Sequence, residues 1–261
     1  MIVYENVLEK IQTELRRKRV RPKFVYFSPS TDIFQPVDFV LELAYGIFAF
    51  LLSVDIGVAF ITKGTIPDKH MALFEAHPQR VRAQIGLITL SAEIAALFEP
   101  HCAPIDVRLR QIAKLNKSGI ETEVRLDPIL PGITDDEDQL KALLEALHQA
   151  GVKEITLNML YLRPALVEVL RRKIPDADMR ERLLRRYDHG VKIRTSGGKF
   201  SQTALPSAER AEIFGRVIRL AAEQGIKCRG CGCMNPDLFT GHCSLSNWAP
   251  TPAETGQMQL F

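Results

Sequence analysis

The sequence is poor in cysteine, in charge imbalance and in long apolar runs, and each shortage narrows its class. It has five cysteines, four of them between residues 228 and 243. Met1 is followed at once by "IVYENVLEKIQTEL", which has neither a basic n-region nor an apolar h-region. Few, clustered cysteines without a secretory signal argue against a disulfide framework and for metal binding in the cytoplasm. The most apolar stretch, "FVLELAYGIFAFLLSV" at 39–54, has 16 residues, contains Glu42 and is bracketed by Asp38 and Asp55. That is short for a membrane span. It reads as a buried helix, and no membrane partner is expected. The balance of 34 Lys and Arg against 31 Asp and Glu leaves a net charge of +3, which does not point to nucleic acid. Two local basic runs, "RRKRVRPK" from Arg16 and "RRKIPDADMRERLLRR" from Arg171, read first as solvated helix ends. A phosphate-binding face is the other reading. No GxGxxG is present, against a Rossmann sheet. No H-x-H stands at a strand end, against a metal-dependent hydrolase barrel.

What is present is an alternation of strand and helix. Five apolar, β-branched runs stand at 23–28, 55–62, 82–90, 121–130 and 154–162. Their nearly continuous apolar character suggests strands covered on both faces. Thr134 and Glu137 have capping-box spacing, and Leu140, Leu143, Leu144 and Leu147 form one helical face behind them. The joints "KSGIETEV", "QAGVKEIT" and "EQGIKCRG" each place a glycine where a helix would end in the left-handed conformation. Repeated units of this kind predict an α/β fold, a partial (βα) barrel of parallel strands over 1–225 followed by a Cys-rich tail over 226–261.

In such barrels the site lies at the C-terminal ends of the strands. That rule selects Ser28, Ser30, Thr31, Asp32 and Gln35, then Thr62 and Lys63, then Thr89, Ser91 and Glu93, then Arg125 and Asp127, then Asn158 and Tyr161. Singly, each reads as a cap or turn residue, Asp32 as an N-cap for example. Together they read as a substrate mouth.

The same stretches carry a resemblance. "FVYFSPSTDIFQPV", "FITKG", "LFEPHCAPIDVRLRQIAKL", "RLDPILPGITDDEDQL" and "CRGCGCMNPDL" resemble, in order, motifs of the radical SAM proteins of the spore photoproduct lyase-like group. The matching positions include Thr31-Asp32, Lys63, Glu99, Pro100, Arg108 and Pro131-Gly132. The resemblance implies a [4Fe–4S] cluster and S-adenosylmethionine, cleaved reductively to a 5′-deoxyadenosyl radical. It also implies an electron donor such as flavodoxin or ferredoxin and an unknown substrate, with DNA a candidate. On this reading Thr31, Asp32, Lys63, Ser91, Glu99, Arg108 and Asp127 line the S-adenosylmethionine and substrate mouth.

The departures are specific. The C-x-x-x-C-x-x-C loop that holds the cluster in this group is absent, and "IVYENVLEKIQTELRRK" resembles the segment that follows it. Ile33, Phe34 and Asp38 replace the usual Pro, Tyr and Glu. The chain therefore reads as an incomplete enzyme, with a non-catalytic pseudoenzyme or binding scaffold as the alternative. Cys228, Cys231, Cys233 and Cys243, spaced C-x2-C-x1-C-x9-C, read as a closed metal site holding zinc or an auxiliary iron–sulfur cluster. His242 is a substitute ligand, and Cys102 reads as an ordinary thiol.

Overall fold

The structure is a computed structural model and describes residues 5–28, 31–194 and 201–240. Helix α1 (Val7–Arg17) leads into β1 (Phe24–Phe27), α2 (Asp38–Ser53), β2 (Gly57–Thr62) and α3 (Asp68–Glu75). A 3-10 turn at Pro78–Arg80 precedes β3 (Val81–Gly86), then come α4 (Ala92–Phe98), α5 (Ile105–Lys117), β4 (Glu121–Ile129), α6 (Glu137–Gln149) and β5 (Glu154–Met159). The chain closes with α7 (Pro164–Lys173), α8 (Ala177–Arg185), β6 (Val191–Ile193), β7 (Gln202–Ala204), α9 (Ser207–Glu223) and β8 (Lys227–Gly230). Six strands form one sheet in the order β1-β2-β3-β4-β5-β8, and every neighbouring pair is parallel. β6 and β7 form a separate antiparallel pair.

Strand parity divides this sheet into two unlike faces. Val58, Phe60, Val81, Ala83, Ile85, Val124, Leu126, Ile155 and Leu157 are buried in the main core, where the helices pack. Phe60 lies 5.1 Å from Phe74 of α3 and 6.2 Å from Phe48 of α2, centroid to centroid. The apolar run at 39–54 is α2, a buried helix, and among the described residues no helix is long and apolar enough to cross a membrane. The alternate residues, Arg82, Gln84, Glu123, Arg125, Asp127, Thr156 and Asn158, take the other face and make it polar. The expectation of strands apolar on both faces thus fails for β3, β4 and β5. Side chains alternate along a strand, and this inner face is a largely buried polar layer rather than an apolar core.

The three glycine joints form as read: Gly119, Gly151 and Gly225 have φ of 75°, 78° and 70° after α5, α6 and α9. The cap of α6 differs. Its N-cap is Asp136, whose carboxylate accepts from Asp138 and Gln139, while the Thr134 hydroxyl accepts the Leu130 N–H at 2.9 Å. The acidic N-cap favours a start two residues later because its carboxylate meets both free N–H groups and the positive end of the helix dipole. β8 is the sixth strand of the sheet, the extended segment that follows the Gly225 joint. Cys228 and Gly230 lie on it, so the sheet continues past residue 225.

Candidate functional site

Asp32 draws two strand ends together. Its Oδ1 accepts the Phe34 N–H at 3.0 Å, and its Oδ2 accepts the N–H of Lys63 at 2.8 Å and of Gly64 at 3.2 Å. The Thr62 hydroxyl lies 2.8 Å from both oxygens. One carboxylate therefore fixes the loop after β1 to the end of β2 through charge-assisted bonds, which are the stronger kind. This is more than the N-cap role that its sequence context suggested.

Lys63, held there, reaches across the sheet. Its methylenes cover Gly86, where a Cβ would sit 2.6 Å from Lys63 Cε. Its Nζ lies 2.9 Å from Glu99 Oε1 and donates to the Asp127 carbonyl at 3.1 Å. Glu99 Oε2 accepts from Arg108 Nη1 at 2.6 Å, and that nitrogen also donates to the Gly86 carbonyl at 2.8 Å. The Glu99 and Arg108 side chains are each 1% exposed, whereas Lys63 is 29% exposed. The buried pair anchors a lysine whose outer end meets solvent.

The line continues on β4 and β5. Asp127 Oδ2 accepts from Arg125 Nη2 at 2.8 Å, and its Oδ1 accepts from Asn158 Nδ2 at 3.0 Å. Burial works against the Arg125 charge, but the neighbouring Asp127 carboxylate outweighs it and the pKa is raised. Arg125 Nε is buried with no acceptor among the described residues. Asn158 Oδ1 accepts from Asn235 at 3.3 Å, and Asn235 Oδ1 accepts from Tyr161 at 2.6 Å and from Arg210 at 3.1 Å. Burial pushes the Tyr161 phenol up to about 12, so it stays a donor at neutral pH. Deeper on the inner face, Tyr26 donates to Gln84 at 3.0 Å, Gln84 to Glu123 at 2.8 Å, and Thr156 to Glu123. Beside the mouth a cavity of about 690 Å³ opens between α4 and α5, lined in part by Glu99, Cys102 and Arg108.

Known proteins share this architecture. Spore photoproduct lyase superposes with a TM-score of 0.65 at 14% identity, over 87% of this chain and 65% of that one. The same enzyme with bound AdoMet and dinucleoside spore photoproduct gives 0.64 at 14% identity, with the same coverage. A domain of pyruvate-formate lyase-activating enzyme from Bacteroides vulgatus gives 0.52 at 14% identity, over 80% of this chain and 99% of that domain. The fold is that of the radical SAM partial barrels. No protein-family model matches the chain. Among curated relatives, an uncharacterized protein of Mycobacterium tuberculosis is 27% identical over 165 residues, which is 62% of this chain and 48% of the relative. The radical SAM Nalpha-GlyT isomerase of Pseudomonas phage M6 is 25% identical over 173 residues, 64% of this chain and 35% of that protein. The chain thus spans about half the length of the first of these relatives, and less of the second.

Within the radical SAM barrel, the expected residues separate into two groups. Asp32, Lys63, Glu99, Arg108 and Asp127 belong to one connected network. Thr31 is exposed beside it and makes no hydrogen bond with a described residue. Ser91 is the N-cap of α4, its hydroxyl accepting the Ile94 N–H at 3.3 Å. Sequence reasoning passed over Arg82, Gln84, Glu123 and Thr156 on the inner face, and Asn235 and Arg210 at its far end. For the strand residues the signal was present as period-two spacing: Arg82, Gln84; Glu123, Arg125, Asp127; Thr156, Asn158.

The cysteines behave differently. Cys228 sits on β8 opposite Ile155 and packs against the main core, where burial pushes its thiol up to about 12. Cys231 is buried and Cys233 half-buried, while Cys243 and His242 lie outside the described residues. Among the described residues no group of three or more His, Cys, Asp or Glu is placed to hold a metal. Burial also raises the Cys102 pKa, with Glu99 adding to it.

Proposed function

We propose that this chain is the S-adenosylmethionine- and substrate-binding portion of a radical SAM enzyme of the spore photoproduct lyase-like group. The observation that carries the reading is the connected polar network across the C-terminal ends of the sheet in a radical SAM fold. The donor set suits a zwitterionic amino-acid moiety. Lys63 and Arg125 offer cations to its carboxylate, and Arg125 Nε is a buried donor still without an acceptor. Asp127, 27% exposed, offers a carboxylate to its ammonium group. Glu99 and Arg108 hold Lys63 in place, and Asp32 sets the loop that presents it. S-adenosylmethionine, once bound and reduced, supplies a carbon radical that takes a hydrogen atom from substrate. The protein's share is to bind, orient and exclude water.

The cluster is another matter. The 261 residues contain no C-x-x-x-C-x-x-C, and the described residues hold no converging set of three metal ligands. The described residues do not fit a [4Fe–4S] cluster. Cys228 lies on β8 packed against the core, and Cys243, the fourth member of the cysteine set, lies outside the described residues. The absent cluster loop also favours a second reading, a binding scaffold without catalysis. Anaerobic reconstitution with iron and sulfide, followed by assay for 5′-deoxyadenosine, tests the pair. The expected result is S-adenosylmethionine binding without 5′-deoxyadenosine. Formation of 5′-deoxyadenosine by this chain would overturn the account of its incomplete chemistry, and absence of S-adenosylmethionine binding would leave the scaffold. In the complete enzyme a flavodoxin or ferredoxin would deliver the electron, and DNA is the candidate substrate.

A further inference from the structure

The polar line of the mouth ends in the segment after β8, "CGCMNPDLF" at 231–239. Met234, Leu238 and Phe239 pack against the main core, and the Phe239 ring lies where a Cβ at Gly230 would have to go. Asn235 stands at the centre of the segment, 0% exposed. Its backbone makes the turn, donating to the Cys231 carbonyl at 2.8 Å and accepting from Leu238 at 3.1 Å and Phe239 at 3.0 Å. A turn needs no more than that. The Asn235 side chain nevertheless makes all four hydrogen bonds of which a carboxamide is capable. Its Oδ1 accepts from the Tyr161 hydroxyl at 2.6 Å and from Arg210 Nη1 at 3.1 Å. Its Nδ2 donates to the Cys231 carbonyl at 3.2 Å and to Asn158 Oδ1 at 3.3 Å.

These bonds run in one direction. Arg210 is 0% exposed, and a guanidinium has donors and no acceptor. It is spent on the Leu205 carbonyl at 2.9 Å, on Asp237 and on Asn235. Asn235 must therefore turn its oxygen to Arg210 and its nitrogen to Asn158. Asn158, facing that nitrogen, must present Oδ1, which leaves its Nδ2 for Asp127 Oδ1 at 3.0 Å. Turning over either amide would set donor against donor or oxygen against oxygen, at side chains 0% and 4% exposed, where an unmade bond is costly. We propose that Asn235 is a positioning residue for the mouth: by fixing the direction of this line it holds Asp127 as an acceptor presented to a ligand's ammonium group. The proposal rests on the S-adenosylmethionine reading of the mouth. Arg125 holds the other oxygen of Asp127 at 2.8 Å, so the carboxylate is pinned from both sides while its side chain, 27% exposed, meets the mouth. The segment after β8 thus reaches the site through an asparagine that touches no ligand itself.

The test compares Asn235→Asp with Asn235→Ala in the full chain, with circular dichroism checking the fold. The aspartate keeps the shape and both bonds to Tyr161 and Arg210, yet its second oxygen makes Asn158 turn over and set Oδ1 against Asp127. The alanine only leaves the Asn158 amide unguided. In calorimetry with S-adenosylmethionine, affinity falls about tenfold or more in Asn235→Asp and less in Asn235→Ala. The deaminated analogue, with hydrogen in place of the α-amino group, binds all three proteins alike. A residue that merely ties the segment down gives the reverse order, because Asn235→Asp keeps those ties; that order, or an equal loss for the analogue, overturns the proposal. Nuclear magnetic resonance reads the line without ligand. Asp127→Ala shifts the Asn158 side-chain amide resonances in the parent background and much less in either Asn235 variant. An equal shift in all three backgrounds overturns the proposal. Should Asn235→Asp not fold, Asn235→Ala decides through the same resonances. A parent that shows this coupling but binds no S-adenosylmethionine removes the mouth reading and keeps Asn235 as the residue that sets Asp127.

Discussion

The strand-end mouth and the cysteine-rich segment both stand out in the sequence as concentrations of reactive groups, and the fold treats them oppositely. Asp32, Lys63, Glu99, Arg108 and Asp127 span almost a hundred residues of sequence yet form one bonded network. Cys228, Cys231 and Cys233 lie within six residues of one another and form no metal-holding group among the described residues. The difference is strand geometry. Parallel strands bring their C-terminal ends to one edge whatever the separation in sequence, whereas β8 turns Cys228 onto the helix-packed face beside Ile155. Close spacing on a strand does not by itself bring side chains together, and Cys243, the fourth of the set, lies outside the described residues.

The largest effect should come from breaking the mouth's buried anchor. Glu99→Leu strips the partner from Arg108, a fully buried cation, and from Lys63. It should cost about 3–5 kcal/mol in urea-induced unfolding; a loss below about 1 kcal/mol would mean the pair is not buried as described.

A second effect of intermediate size belongs to the core behind the mouth. His70 is 1% exposed and ringed by Phe34, Phe48, Phe74 and Tyr45, and burial lowers its pKa from 6.5, with Leu41 and Glu42 opposing and Lys69 assisting. The unfolded chain therefore binds a proton that the folded chain resists. Stability should be full above about pH 6.5 and fall as pH drops below it toward the lowered folded value, by up to about 1.4 kcal/mol per pH unit. Thermal unfolding between pH 5 and 8 checks this, and the slope should flatten in His70→Phe.

The smallest effect is expected in the other region. Cys228→Val keeps an apolar side chain of similar size against the core and should cost less than about 1.5 kcal/mol. Bound zinc and iron, measured by elemental analysis, should not change. A drop in bound metal with this substitution would restore the four-cysteine reading and erase the contrast with the mouth.

How far the sequence reveals this molecule depends on which signal is followed. The apolar runs locate five of the six sheet strands, and the glycines at 119, 151 and 225 mark the helix ends, because left-handed backbone selects that residue. β8 shows only as the extended segment after the Gly225 joint and not among the apolar runs: "KCRG" has none of the β-branched or aromatic residues that advertise a strand, and it is held by its pairing with β5. The mouth was legible as a rule about strand ends, yet the rule could not separate Ser91, a helix cap, from Lys63, a member of the network. Asn235 and Arg210 were invisible because they join the line through tertiary contacts alone.

The central claim is that the strand-end network binds S-adenosylmethionine, and titration calorimetry of the full chain with that ligand tests it most directly. The account predicts saturable binding that weakens about tenfold or more in Lys63→Ala, the loss of one charge-assisted contact, and that is unchanged in Cys228→Val. Equal affinity in the parent and Lys63→Ala, or no binding by the parent, would contradict it.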